Sequence, residues 1–181
     1  MGERGPEDTH MKNRAQGMTL IELLTAVLVV AILMGLAVPS FREFTQNNRT
    51  IAATNELVTA LNLARSEALR RATTTIVCAS ADQATCSGAL DWTTGWIAFN
   101  DANNNGVVDA NELLQAWSGV NGGLVASADQ DRAAYNAMGM AQLAGNITFR
   151  VGSPTCTGLH VGQTVISTIG SVRSTKVACP P

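Results

Sequence analysis

The residues whose types and spacing could do chemistry are Asp101, Asn103, Asn105, Val107, Asp109 and Glu112. They belong to the run Asp101-Ala102-Asn103-Asn104-Asn105-Gly106, with Glu112 closing it after five more residues. Side-chain oxygens at loop positions one, three, five, nine and twelve, a backbone carbonyl at seven, and glycine at six for the sharp turn are what a calcium ion requires. Helices flank such a loop in its usual setting, whereas Trp96-Ile97-Ala98-Phe99 before it has strand composition. Asn, Asp and Gly equally suit the turn of a β-hairpin. Two readings therefore stand side by side, a calcium site and a polar turn, and calcium is the one cofactor the sequence suggests.

Other chemistry finds little support. Beyond Gly17 there is a single histidine, His160, and no Gly-x-Ser-x-Gly, phosphate loop or dinucleotide fingerprint. No nucleophile and base can be paired, so the chain is expected not to be an enzyme. Asp129 and Asp131 fall in a polar stretch and read as solvated. Cys78, Cys86, Cys156 and Cys179 lack the tight spacing and histidine partners of a zinc site. They suit an oxidising compartment. Three pairings are possible, of which the local ones, Cys78 with Cys86 and Cys156 with Cys179, are expected.

The element that must position everything else is the apolar run from Met18 to Val38, in which Glu22 is the only charged side chain. At about 1.5 Å per residue its length matches a hydrocarbon core of roughly 30 Å. Lys12 and Arg14 just before it place the N-terminus in the cytoplasm and the remainder outside. A carboxylate within hydrocarbon is costly unless paired, which makes Glu22 a functional candidate. Ser40 to Arg71 contains no Gly or Pro, and Leu57, Leu61, Ala64 and Ala68 recur at helical spacing, with Arg49, Glu56, Arg65, Glu67, Arg70 and Arg71 as polar surface. Pro39 removes one helical hydrogen bond and is expected to bend the junction.

The segment Lys12-Asn13-Arg14-Ala15-Gln16-Gly17, followed by Met18-Thr19-Leu20-Ile21-Glu22, resembles the leader of type IV prepilins and type II secretion pseudopilins. The resemblance implies cleavage after Gly17 by a prepilin peptidase and N-methylation of Met18. It also implies that Glu22 pairs with the amino terminus of a neighbouring subunit, and that Pro39 is the helix-bending proline of this class. Met11 is an alternative start, which would leave a leader of Met11 to Gly17. Ala64-Arg65-Ser66-Glu67-Ala68 and Trp92-Thr93-Thr94-Gly95-Trp96-Ile97-Ala98-Phe99 resemble blocks of the GspH/FimT family. That family implies an α+β, type IV pilin-like fold: a long N-terminal helix packed on an antiparallel β-sheet domain.

The expected organisation is a leader over 1–17, a membrane and assembly helix over 18–38, its amphipathic continuation over 39–71, and an extracytoplasmic β-rich domain over 72–181. Strands are expected at Thr74 to Cys78, Glu112 to Trp117, Ile147 to Val151, Thr164 to Thr168 and Lys176 to Ala178, and Ser118 to Asn146 reads as a long loop. Trp92, Trp96 and Trp117 are expected as core anchors or an edge patch. Gly170-Ser171-Val172-Arg173-Ser174-Thr175-Lys176 resembles the place where DNA-uptake members of the family carry Gly-Arg-x-Arg, but Ser171 stands where the first arginine would be. Arg173 and Lys176, helped by Arg150, imply weak and salt-sensitive DNA contact. Without the leader, which holds three basic and three acidic residues, nine Lys and Arg face eleven Asp and Glu, which excludes a wholly basic nucleic-acid binder. The expected partners are the peptidase, other pilins, the inner membrane and DNA.

Overall fold

The computed structural model describes residues 17–142, 145–156 and 161–179, and for residues 36–40 the backbone alone. The chain divides into two compact units, Met1–Phe41 and Arg42–Pro181. The described part of the first unit is the opening of helix α1 (Leu20–Arg71), whose remainder belongs to the second.

In the second unit α1 is followed by eight strands: β1 (Thr74–Ala79), β2 (Gly95–Asp101), β3 (Leu113–Ser118), β4 (Val125–Ala128), β5 (Arg132–Tyr135), β6 (Ile147–Gly152), β7 (Val161–Ile166) and β8 (Val172–Val177). They form two four-stranded antiparallel sheets, ordered β3-β2-β1-β5 and β4-β6-β7-β8. The architecture is α+β, a helix packed on antiparallel sheets.

One core joins all three layers. Leu57, Leu61, Ala64 and Ala68 recur every three or four residues and are buried, as their helical spacing requires. Ala60, Ala64 and Ala68 carry only a methyl group, so α1 can approach both sheets closely. From the first sheet the core takes Val77, Trp96, Ala98, Trp117 and Tyr135, and from the second Ala126, Ile147, Phe149, Val151 and Ile166. Trp92 stacks edge-on against Phe149 with ring centroids 4.9 Å apart. The three tryptophans are thus core anchors rather than an edge patch. Full burial of Leu57 and Leu61 contributes about 1.5–3 kcal/mol each.

The first sheet is covered on its other face too, which is why β1 and β2 read as nearly continuous apolar runs. Ile76, Cys78, Ile97 and Phe99 form a second cluster there, beneath Cys86 and Val108. The loop carrying Cys86 is tied down by the Cys78–Cys86 disulfide, and a second disulfide joins Cys156 to Cys179. Asp82 shapes the same loop: its carboxylate accepts the Thr85 hydroxyl at 2.7 Å and the Thr85 and Ala84 N–H groups at 2.8 and 2.9 Å. These bonds, the Thr85 hydroxyl foremost, hold its carboxyl well below the usual carboxylate range.

Several expectations need correction. Ser118 to Asn146 is not one long loop, because β4 and β5 lie within it. Both are four residues long, too short for a sustained alternation to stand out. β5 also pairs with β1 rather than with a chain neighbour, a partnership that only the tertiary fold supplies. The last two strands start earlier than expected, at Val161 and Val172. Asp129 is more than a solvated acid, since its Oδ1 accepts the Thr148 N–H at 3.0 Å, and Asp131 pairs with Arg132 at 3.0 Å. The side chain of Pro39, on which the expected bend rests, and His160 lie outside the described residues.

Candidate functional site

Helix α1 starts where it does because Thr19 caps it. Thr19 Oγ1 accepts the Glu22 N–H at 3.3 Å and the Thr19 carbonyl accepts the Leu23 N–H at 3.1 Å. A threonine cap with glutamate three residues on is capping-box spacing. It puts Glu22 in the first turn, where a carboxylate meets the positive end of the helix dipole. This local role was legible in Thr-x-x-Glu, and a reading centred on the membrane misses it. Gly17, just upstream, has no heavy atom within 4 Å of where a Cβ would stand.

From Met18 to Met34 every large apolar side chain of the helix is between 48% and 78% exposed. A helix apolar on all sides needs lipid or other helices around it. Among the described residues no helix is long and apolar enough to cross a membrane. The described side chains of this run end at Gly35, about 22 Å along the axis from Leu20 at 1.5 Å per residue.

In the β2–β3 connection the loop of potential calcium ligands turns its oxygens inward. Asp101, buried at the end of β2, accepts the Asn105 and Gly106 N–H groups at 3.0 Å each. Asn103 Oδ1 accepts the Asn105 N–H at 3.1 Å, and Asn105 Oδ1 accepts that of Val107 at 2.8 Å. Asp109 Oδ2 receives both the Asn103 and Asn105 amides at 2.8 Å. Glu112 reaches back to the Ala102 and Asp109 N–H groups at 3.0 and 3.1 Å. Gly106 takes the positive φ of 71° that the sharp turn demands. The donor set fits a hard cation in chemistry, all oxygen with three carboxylates. Among the described residues no three His, Cys, Asp or Glu side chains are gathered closely enough to hold a metal as they stand. The loop does two things at once, since Val108 also covers the outer cluster of the first sheet.

The three cations expected at a DNA surface are not brought together. Arg150 pairs with Gln163 across β6–β7, and Arg173 pairs with Val165 across β7–β8. Both alternate with core residues and so share the outer face of the second sheet. Lys176 is opposite Gly162 and, with Ser174, faces the helix, where its Nζ donates to Asn47 Oδ1 at 3.1 Å.

Arg65, expected as polar surface, instead ties the two sheets. Its Nε donates to the Gly139 carbonyl at 3.0 Å, just past β5, and its Nη2 donates to the Ile169 carbonyl at 3.3 Å, in the β7–β8 turn. Glu67, two residues on, accepts from Arg70 and from Arg71, the latter at 2.7 Å. The Arg70 hydrogen bond first, then that of Arg71, holds its carboxyl below the usual range.

Residues 53–170 match the family described as type II transport protein GspH, which is more than half of the chain. The chain belongs to the GspH family. Residues 12–38 match the prokaryotic N-terminal methylation motif. In three dimensions the chain is similar to the type IV minor pilin FimU of Pseudomonas aeruginosa in two crystal forms. One matches with a TM-score of 0.56 at 21% identity, covering 76% of this chain and 92% of that one. The other matches with a TM-score of 0.52 at 21% identity, covering 71% and 98%. No curated protein matches the chain. The GspH match takes in α1 from Ala53, the β2–β3 loop and strands β1 to β7, but stops before β8 with Arg173 and Lys176. The family is that of a type II transport protein, and the fold is similar to that of a type IV minor pilin.

Proposed function

We propose that this protein is a minor pilin or pseudopilin, a structural subunit of a type IV pilus or a type II secretion pseudopilus. The observation that carries the reading is a methylation motif that runs into a helix whose apolar side chains are exposed on every face. Such a surface needs lipid or other helices around it, and a subunit that moves from the membrane into a packed assembly of like helices meets both in turn. In this reading the precursor spans the inner membrane once with its N-terminus in the cytoplasm. The prepilin peptidase cuts after Gly17 and methylates Met18. Assembly then draws the helix into a filament with Glu22 against the amino terminus of a neighbouring subunit. Mass spectrometry of the N-terminal peptide should find N-methylated Met18, and an intact Gly17–Met18 bond in assembled protein would overturn the proposal. A clean deletion scored for surface pili and for exoprotein release then separates the two machines. Loss of pili alone assigns it to the pilus, and trapped periplasmic enzymes with normal pili assign it to secretion.

A second reading adds calcium to the same structural role. The inward-facing oxygens of Asp101, Asn103, Asn105, Asp109 and Glu112 favour it. Calcium would replace the intraloop amide contacts of Asp109 and stiffen the β2–β3 connection of an interaction domain. Isothermal titration of the protein should give heat that Glu112→Gln abolishes, and no heat at millimolar calcium would remove the site. DNA contact has weaker support, because Lys176 faces away from Arg150 and Arg173 and two cations give little phosphate affinity.

A further inference from the structure

Helix α1 is held to the domain by two seams of opposite character. Between Leu57 and Ala68 the contact is dry, with Leu57, Ala60, Leu61, Ala64 and Ala68 at 1% exposure or less. Between Arg42 and Asn55 the only buried apolar side chain is Ala53, while Phe44 and Ile51 are exposed. What this segment buries against the second sheet is polar: Thr50 and Thr54 on the helix, Ser153 and Thr164 on the sheet side.

These hydroxyls do little to bind the two layers. Thr50 Oγ1 donates to the Gln46 carbonyl at 3.1 Å and Thr54 Oγ1 to the Thr50 carbonyl at 2.7 Å, both within the helix itself. Such back-bonding satisfies the hydroxyl without adding a tertiary contact. Two cavities flank the seam. One of about 120 Å³ lies between Glu43, Gln46, Thr50 and Ser153, Thr155. The other, about 190 Å³, lies between Asn47, Ile51, Asn55 and Ser174, Thr175. Hydroxyl and amide side chains line both beside apolar surface, and each is large enough for several waters at about 30 Å³ apiece. Across the second cavity Lys176 Nζ donates to Asn47 Oδ1 at 3.1 Å, an exposed contact. Where β7 meets the helix, residue 162 is glycine, and a Cβ there would stand 2.1 Å from Thr54 Oγ1.

We propose that Arg42–Asn55 is a releasable strap: it lifts from the second sheet along this wet seam while Leu57–Ala68 stays seated in the core. Lifting the strap exposes hydroxyls that water can satisfy, and the one core side chain it carries is the single methyl group of Ala53, so its cost is small. The strap can thereby move against the second sheet while Leu57–Ala68 stays packed. That freedom would suit a subunit that must fit first a lipid bilayer and then a filament, but the seam stands on its own packing.

Thiol labelling of the full-length chain in detergent tests it, because all four native cysteines are paired and an introduced one is the only free thiol. Thr54→Cys places a buried thiol on the wet seam and Ala64→Cys places one in the dry core. The Thr54→Cys thiol should be labelled on the order of 100-fold faster. Adding Gly162→Val, which drives a side chain into the seam, should speed labelling of Thr54→Cys and leave that of Ala64→Cys unchanged. Thr50→Cys and Ala60→Cys repeat the comparison if either first variant fails to fold, judged by far-ultraviolet circular dichroism. Equal labelling at wet and dry positions, or an equal response of both to Gly162→Val, would overturn the strap.

Discussion

Glu22 answers to two demands at once, one local and one set by assembly. As third residue of a helix capped by Thr19 it favours the helix N-terminus, and as an ionisable group in an apolar run it needs a partner. The two are separable by mutation. Thr19→Ala should cost the first turn about 1 kcal/mol and leave incorporation into filaments intact. Glu22→Val should leave membrane insertion intact and abolish incorporation, measured by the subunit content of sheared filaments. Normal incorporation of the valine variant would refute the pairing role. Two other carboxylates, among those whose values are lowered, contribute to the acid response. Asp82 and Glu67 both have native values below their ordinary ones, so their contribution is present above the usual carboxylate range near about 4 and is lost as pH falls through the lower native values. Melting temperature should therefore fall between about pH 4 and pH 2, and Asp82→Asn should flatten part of that fall. Asp82 is exposed and the half-buried Glu67 is paired with two exposed arginines, so the effect is modest and shrinks with salt.

At the scale of elements, the two sheets have no strand in common, and Arg65 is one of the few side chains bonded to both. Its guanidinium spans the turn after β5 and the turn between β7 and β8. Arg65→Ala removes two charge-assisted bonds to carbonyls and should destabilise the domain by about 1–3 kcal/mol. Arg65→Lys should recover little of it, since one ammonium cannot reproduce the fixed fork of the guanidinium. Denaturant unfolding of the three proteins measures this directly, and an Arg65→Ala midpoint equal to that of the parent would deny the latch. Spacing on the helix cannot reveal such a role. Arg65 lies beside the buried stripe, and only the arrival of two distant turns converts it from surface to tie.

For the whole molecule, the disulfides matter because much of the outer surface is loop. The Cys78–Cys86 bond pins the cover of the outer cluster, and Cys156–Cys179 closes the C-terminal strands against the chain that precedes them. Loops of this size are worth about 2–4 kcal/mol per bond. Reduction should lower the melting temperature and increase dye binding at the exposed cluster of Ile76, Ile97 and Phe99. An unchanged melting curve after complete reduction would show that packing alone holds these loops.

By itself the sequence determined whatever depends on near neighbours. The apolar run and the motif before it, the helical stripe of Leu57, Leu61, Ala64 and Ala68, the runs of β1 and β2, and the oxygen pattern of Asp101 to Glu112 are all periodic or contiguous signals. The tertiary structure decided whatever depends on partners far apart along the chain. It placed β5 beside β1 across more than fifty intervening residues, turned Lys176 inward and away from Arg173, and made Arg65 a bridge. It also divided α1 into a dry seam and a wet one, a difference invisible in the helix because Thr50 and Thr54 occupy the same face as Leu57 and Leu61. The physical reason is the same in each case. A backbone period fixes which way a side chain points, but what it meets there is supplied by the rest of the fold.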